Sequence, residues 1–211
     1  MNQLPRIVVT GSAGFIGRRM VSRLAVGANV IALDRAPDPG GWPTGVEYRQ
    51  LDLGREMPAF KGNWILVHLA WSLDRANAAA QRESLQAFAR LLGQAGLAGV
   101  VGLGSAEEYG ELEGRLRENM APGAKLSAYG QAKHAAGKVL EDWARGAGRK
   151  AVWLRPFVVY GPGQGGNMAI PYALRCARER IPGEFSEGLQ FRDFVHVDDV
   201  ADGIAAAALA L

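Results

Sequence analysis

The chain lacks several features that mark whole classes of protein. Among its 211 residues there is a single cysteine, Cys176, which cannot form an internal disulfide and so favours a reducing, cytoplasmic setting. The longest apolar stretch, residues 204–211, falls far short of the ~20 residues needed to cross a membrane. The N-terminal residues contain no cationic stretch leading into a long apolar run, so no signal peptide is predicted.

An excess of charge of one sign is also missing. The 24 lysines and arginines nearly balance the 21 acidic residues and are scattered, so no nucleic-acid partner is predicted. No cluster of cysteine, histidine and acidic residues has the spacing of metal ligands, so no metal site is predicted. The chain is instead rich in glycine, with 28 residues and no repeat period, which indicates tight backbone turns.

Short apolar runs alternate with helical patterns along the chain. The pattern predicts strands at residues 6–10, 29–34, 47–51, 64–70, 100–103 and 151–155. It predicts the longer helices at residues 76–95, 127–143 and 167–180. Strands separated by helices favour an α/β fold with a doubly wound parallel sheet, the Rossmann fold. We expect residues 1–165 to form this domain and residues 166–211 to form a minimal substrate-binding lobe with a return helix.

A glycine motif, Thr10-Gly11-Ser12-Ala13-Gly14-Phe15-Ile16-Gly17, follows the first strand and opens a helix. Gly11 permits the tight turn off the strand, Gly14 allows the backbone to approach a pyrophosphate, and Gly17 allows close helix–sheet packing. The start of the helix offers free N–H groups and a positive dipole end to phosphate. The sequence therefore predicts a dinucleotide-binding site here.

Asp34 closes the second strand, where a dinucleotide site places an acidic residue. Its carboxylate is expected to accept both hydroxyls of the adenosine ribose and to repel a 2′-phosphate, which favours NAD over NADP. Arg35 follows directly and is suited to bind a 2′-phosphate, so NADP remains an alternative. Asp52 is a candidate partner for the adenine amino group.

Tyr129 and Lys133 lie at positions i and i+4 of a predicted helix and therefore share one helix face. A nearby ammonium favours the phenolate, so we expect Lys133 to lower the pKa of Tyr129 toward neutrality and make it an acid/base. Ser105 follows the fifth strand, at the sheet edge where such folds bind ligands. Its hydroxyl is placed to bind the same substrate oxygen that exchanges a proton with Tyr129.

These motifs together resemble the extended short-chain dehydrogenases/reductases, and more specifically the NAD-dependent epimerase/dehydratase family that acts on nucleotide sugars. The resemblance runs from residue 7 to about residue 204. It rests on the glycine motif, His68-Leu69-Ala70, Ser105 with Tyr109-Gly110, Tyr129-x-x-x-Lys133, residues 154–163 and residues 192–200.

The resemblance implies a catalytic trio of Ser105, Tyr129 and Lys133, with Glu107 as a further candidate. The implied cofactor contacts are Gly11, Ala13, Gly14, Phe15, Ile16, Gly17, Asp34, Arg35, Asp52, Leu53, Leu69, Ala70, Trp71, Tyr129, Lys133 and Pro156. The implied substrate contacts are Ser105, Glu107, Trp71, Asn167 and Arg192. Arg192 is expected near the nucleotide phosphates, and the alternative is a structural ion pair with Asp193 or Asp198.

Departures from the family's pattern leave the reaction open. Ala106 stands where dTDP-glucose-type 4,6-dehydratases carry an aspartate, which counts against that reaction. Glu107 is suited to act as a base, as in GDP-mannose dehydratase-like enzymes, yet the same segment also resembles reductases of 4-keto-6-deoxy nucleotide sugars. The expected function is an epimerase or dehydratase that recycles NAD. The alternatives are an NAD(P)H-dependent ketoreductase and a non-catalytic dinucleotide-binding protein.

The C-terminal part is short in comparison with the family. Relatives are expected to continue well beyond the last motif, and residues 184–193 are predicted to form little more than a hairpin. The alternatives are a minimal substrate lobe, a pocket completed by a partner subunit, or a fragment of a longer chain. The resemblance implies a homodimer formed through the helices at residues 76–95 and 127–147.

Overall fold

A six-stranded parallel sheet forms the centre of the fold. The computed structural model describes residues 4–166 and 168–211. The strands are β1 (Arg6–Thr10), β2 (Asn29–Asp34), β3 (Glu47–Gln50), β4 (Trp64–His68), β5 (Leu97–Leu103) and β6 (Lys150–Leu154). Their order, β3-β2-β1-β4-β5-β6, confirms the doubly wound α/β fold. Since the order reverses between β1 and β4, a ligand crevice is expected at the carboxyl ends of these two strands.

Helices cover both faces of the sheet. They are α1 (Gly17–Leu24), α2 (Ala78–Leu92), α3 (Ala128–Ala147), α4 (Ala169–Glu179) and α5 (Val197–Leu209), with a 3-10 turn at Ala106–Tyr109. Side-chain caps begin α2, α3 and α5, and the first two show how the cap sets the start. The side chain of Asn77 accepts from the amides of Ala79 and Ala80, so α2 begins later than the pattern predicts. The hydroxyl of Ser127 accepts from the amide of Gly130 and begins α3.

Successive side chains of each central strand enter different cores. Ile7 and Val9 of β1 pack with α1 and α5 on one face, whereas Val8 packs with α2 and α3 on the other. This two-sided burial explains why the strands are almost continuously apolar. Helix α5, from the C-terminal part of the chain, thus packs on the same sheet as α1.

The C-terminal part differs from the expectation. Residues 181–193 form neither helix nor strand, so the predicted hairpin is wrong. Two short strands, β7 (Val158–Tyr160) and β8 (Phe194–His196), pair in parallel instead. In the chain, β7 comes before α4 and β8 follows the irregular segment. Their pairing brings together segments distant in sequence, and β8 leads directly into α5, which anchors it on the main fold.

The glycine motif contains the closest backbone packing at the start of α1. A Cβ atom on Gly17 would lie 2.1 Å from the carbonyl oxygen of Gly11, and backbone on both sides prevents relief by a side-chain movement. By contrast, a Cβ atom on Gly203, in the exposed part of α5, would meet nothing within 4 Å.

We expect Gly17→Ala to lower the free energy of unfolding by about 1–3 kcal/mol or more, because the new methyl group overpacks the loop. Gly203→Ala is the matched control and should raise it by up to about 1 kcal/mol, because alanine favours the helix. Urea unfolding followed by tryptophan fluorescence measures both values. Equal effects of the two substitutions would contradict the close packing described here.

Candidate active site

The glycine loop forms a narrow cradle against the end of β4. Gly11 has a positive φ of 70°, and a Cβ atom there would lie 2.7 Å from the amide nitrogen of Ala70. The hydroxyl of Ser12 is buried and has no partner among the described residues. Within residues 4–166 and 168–211, no acceptor is seen for the amides of Phe15 and Ile16. A cradle closed to side chains but open to an acceptor fits the pyrophosphate of a dinucleotide.

The carboxylate of Asp34 binds the glycine loop directly. One of its oxygens accepts from the amide of Ala13 at 2.9 Å, and the other accepts from the amide of Ala36 at 3.0 Å. Asp34, Arg35 and Asp52 line an open pocket of about 680 Å³ at the carboxyl ends of β2 and β3. The structure therefore brings together the three residues predicted for the adenosine end of the cofactor.

Leu53 and Pro156, two further predicted cofactor contacts, make hydrogen bonds and packing contacts within the protein. The side chain of Leu53 packs against the core beneath α2, and its carbonyl oxygen accepts from Arg90 at 2.7 Å. The carbonyl oxygen of Pro156 accepts from the amide of Ala106 at 3.0 Å and so supports the turn that carries Ser105. Their contacts with a cofactor stay predictions.

Ser105, Tyr129 and Lys133 meet at the carboxyl end of β5. Ser105 begins the 3-10 turn, and its hydroxyl accepts from the amide of Glu107 at 3.2 Å. Ser105 lies close enough to Tyr129 for its side chain to influence the pKa of the phenol, and Lys133 follows one turn later on α3. The Nζ atom of Lys133 donates to the carbonyl oxygen of Leu103 at 2.6 Å, which ties α3 to the end of β5.

Lys133 is buried beneath an indole ring. Its side chain is almost fully covered, and its Nζ atom lies 4.0 Å from the ring centroid of Trp71. Trp71 is itself fixed by a hydrogen bond from its Nε1 atom to Gln81 at 2.7 Å. Burial lowers the pKa of Lys133 to about 7, with Glu108 opposing this shift and Arg75 adding to it. Lys133 therefore carries a full charge only below neutral pH.

The expected effect of Lys133 on Tyr129 is wrong in this structure. The pKa of Tyr129 is raised, primarily because burial disfavours the phenolate, and Glu107 and Glu108 add to the rise. Arg75 and the side chain of Ser105 act in the opposite direction and lower the pKa of Tyr129. Lys133 contributes little because its Nζ atom is directed at a carbonyl oxygen and its own burial removes its charge near neutrality.

Arg75 is a residue of this site that sequence reasoning missed. Its guanidinium carbon lies 4.8 Å from the ring centroid of Tyr129, and one of its nitrogens forms an ion pair with Glu107. The second oxygen of Glu107 accepts from the hydroxyl of Ser127 at 2.7 Å. Both oxygens of Glu107 thus have protein partners, and its role as a base stays a prediction. The only signal for Arg75 was its place just after β4, at the ligand edge of the sheet.

A buried carboxylate holds the turn that carries Ser105. Glu108 is almost fully buried and accepts from the amide of Ser105 at 2.8 Å. Its side chain also accepts from Trp153 at 3.0 Å and forms an ion pair with Arg155 at 2.8 Å. A buried charge needs such partners, since an unpaired one is costly. Glu108 therefore fixes the backbone from which Ser105 projects.

For Arg192, a predicted substrate residue of the C-terminal part, no contact with this cluster is seen among the described residues. Arg192 is exposed in the irregular segment, and no ion pair of its guanidinium is seen in the part of the chain that the structure describes. The alternative partner Asp198 instead pairs with Arg19 at 3.1 Å and Arg23 at 3.0 Å. Asn167 lies outside the described residues.

A sequence model of the NAD dependent epimerase/dehydratase family matches residues 7–210 of the chain. The chain belongs to this family. Among its relatives, the UDP-glucose epimerase YtcB of Bacillus subtilis (strain 168), itself uncharacterized, is 27% identical over 95% of this chain and 72% of its own length. The dTDP-6-deoxy-L-talose 4-dehydrogenase (NAD(P)(+)) of Kitasatospora kifunensis is 30% identical over 96% of this chain and 70% of its own length.

A solved relative has the same fold. MoeE5 in complex with UDP-glucose and NAD is 33% identical, with a TM-score of 0.79 over 96% of this chain and 71% of that chain. Members and structural homologues of the family thus bind NAD. Among the described helices, none has the length and apolar character required to cross a membrane. Dimerisation and a cytoplasmic location stay predictions.

His68 is a buried titratable group below the site. Its ring stacks on Phe88 at 4.7 Å, and its Nδ1 atom lies 2.8 Å from the hydroxyl of Thr10. Burial, helped by the charge of Lys133, lowers the pKa of His68 from its ordinary value of 6.5 to about 3. Between these values the unfolded chain binds a proton that the native chain does not, so stability falls as the pH falls.

We expect His68→Asn to remove this part of the acid sensitivity. The difference in free energy of unfolding between the natural chain and the variant should be constant above pH 6.5 and change steadily below it, as His68 protonates in the unfolded state only. Urea unfolding at several pH values measures this difference. A difference independent of pH across the same interval would show that His68 titrates equally in both states.

Proposed function

We propose that this protein modifies a nucleotide sugar by NAD-dependent hydride transfer at a sugar carbon, as an epimerase or dehydratase that retains its NAD. The observation that carries the proposal is the meeting of Ser105, Tyr129 and Lys133 at the sheet edge next to the glycine loop. Membership of the family and the nucleotide sugar bound to MoeE5 support it.

The proposed cofactor contacts follow from groups already described. The amides of the glycine loop would bind the pyrophosphate, and Asp34 would accept from the adenosine ribose through its remaining lone pairs. Lys133 has two N–H bonds left besides the one to Leu103, and these would donate to the nicotinamide ribose. Bound NAD would supply the hydride acceptor for the first half-reaction and the donor for the second.

The protein's own part in the reaction is proton transfer and orientation. Tyr129 would take the proton from a sugar hydroxyl while hydride leaves the same carbon, and Ser105 would hold that oxygen. The resulting keto sugar would then be reduced again from its other face in an epimerase, or lose water first in a dehydratase. Burial of Tyr129 and Lys133 keeps water away from the groups that move the proton.

A second candidate is a ketoreductase that consumes external NAD(P)H. It is favoured by the similarity to the talose 4-dehydrogenase and by Arg35, which lines the adenosine pocket next to Asp34 and is suited to a 2′-phosphate. The two candidates differ in whether the nucleotide stays bound between turnovers.

Analysis of the nucleotide that co-purifies with the protein separates these candidates. We expect denaturation of freshly purified protein to release NAD in near-stoichiometric amount, as measured by mass spectrometry, because an epimerase or dehydratase regenerates its cofactor. An empty protein that binds NADPH better than NADH would favour the ketoreductase. A protein without affinity for any dinucleotide would contradict both candidates.

The role of Tyr129 is tested by Tyr129→Phe, which removes one hydroxyl and leaves the ring. We expect kcat on a panel of UDP- and dTDP-sugars to fall by about 10²-fold or more, because a positioned acid/base is lost, while NAD binding is kept. Tyr172→Phe on α4 is the matched control and should retain full turnover. Unchanged turnover by the Tyr129 variant would exclude the proposed chemistry.

A further inference from the structure

We propose that Arg75 is a positioning residue for Tyr129: its guanidinium holds a permanent positive charge against the phenol ring, in addition to the charge of Lys133. The guanidinium lies over the ring irrespective of any activity of the protein. Its consequence for catalysis rests on the proposed function, in which Tyr129 exchanges a proton with the sugar.

Arg75 is the nearer of the two cations to the ring. Its guanidinium carbon lies 4.8 Å from the ring centroid of Tyr129, whereas the Nζ atom of Lys133 lies 5.8 Å away. The ammonium of Lys133 is also directed elsewhere, toward the carbonyl oxygen of Leu103 and the face of Trp71. Both cations thus lie over the ring of Tyr129, and Arg75 is the nearer of the two.

The two cations differ in how they respond to pH. A guanidinium keeps its charge throughout the range in which proteins work. Lys133, in contrast, loses its charge near neutral pH, because burial lowers its pKa to about 7. Above neutrality Arg75 is therefore the charged one of these two groups.

Other charged and polar groups also face Tyr129. Glu107 and Glu108 on the 3-10 turn raise its pKa and add to the effect of burial, while Ser105 and Arg75 lower it. Among the groups that lower it, Arg75 has the larger influence. A cation that counteracts burial in this way favours the phenolate, which is the form of Tyr129 that accepts a proton.

An anchored carboxylate keeps Arg75 in this place. Glu107 forms the ion pair with Arg75 and is itself held by the hydroxyl of Ser127. The guanidinium belongs to the connection between β4 and α2, whereas Tyr129 and Ser127 belong to the start of α3. Through Glu107 on the 3-10 turn, the ion pair and the hydrogen bond link these two segments on the side of the site where Arg75 lies over Tyr129.

The test is a titration of Tyr129 that needs neither cofactor nor substrate. The protein is labelled with ¹³C at the ring carbon that carries the hydroxyl, and NMR follows the five tyrosines as the pH rises, with Tyr129→Phe assigning the signal. We expect Arg75→Gln to move the titration of Tyr129 to higher pH. Arg75→Lys, which keeps the charge without the planar stack, should move it less.

Arg82→Gln is the control, because Arg82 is an exposed arginine of the neighbouring helix α2 and should leave the Tyr129 signal unmoved. The signals of the other tyrosines show that each variant is folded. An unchanged titration in Arg75→Gln, an equal shift in Arg82→Gln, or equal shifts for the glutamine and lysine variants at position 75 would overturn the inference.

The pH dependence of turnover separates this inference from the proposed function. If both hold, the limb of the kcat profile that reports Tyr129 moves in Arg75→Gln in the same direction as the NMR titration. If the titration of Tyr129 shifts but the protein has no activity on any nucleotide sugar, the proposed function is wrong and the role of Arg75 stands. If Arg75→Gln lowers kcat but leaves the titration of Tyr129 unchanged, the proposed role of Arg75 is wrong.

Discussion

The structure depends on one close approach of backbone to backbone, within the glycine loop and against the end of β4. The carbonyl oxygen of Gly11 lies where a side chain on Gly17 would be, and the amide of Ala70 lies where a side chain on Gly11 would be. This contact brings the start of α1 to the edge where β4 and β5 end. The amides proposed to bind phosphate and the turn that carries Ser105 therefore lie at the same edge of the sheet. A bulkier residue at either glycine would separate them.

Burial governs the proton states around this crevice. His68 and Lys133 both lie in the interior, and desolvation lowers the pKa of each. Glu108 remains in the interior because Arg155 and several N–H donors surround it. Two opposing effects act on the pKa of Tyr129: burial raises it, and the guanidinium of Arg75 lowers it. The charges around the site therefore come from three connections of the sheet, and not only from Tyr129 and Lys133 on one helix. Arg75 lies between β4 and α2, Glu108 lies between β5 and α3, and Arg155 follows β6.

Much of this could be predicted from local sequence. The doubly wound parallel sheet, the glycine loop and the convergence of Ser105 with Tyr129 follow from apolar runs, from the glycine spacing and from the rule that strands end at a common edge. The contact between Arg75 and Tyr129 could not be predicted, because it depends on how two distant segments pack. The effect expected of Lys133 was wrong because spacing on a helix reports a shared face but not burial or the direction of an ammonium. The hairpin failed because β7 and β8 pair over a long range.

The hydrogen bond between Asp34 and Ala13 has a consequence for the evolution and redesign of cofactor choice. In the proposed site, the carboxylate of Asp34 would bind the ribose, and it also accepts a hydrogen bond from the amide of Ala13 in the glycine loop. Any exchange at position 34 that admits a 2′-phosphate would leave the amide of Ala13 in need of a new acceptor. Selectivity and affinity for the dinucleotide are therefore coupled traits in this chain. A change of preference would have to be accompanied by compensating substitutions in the loop itself.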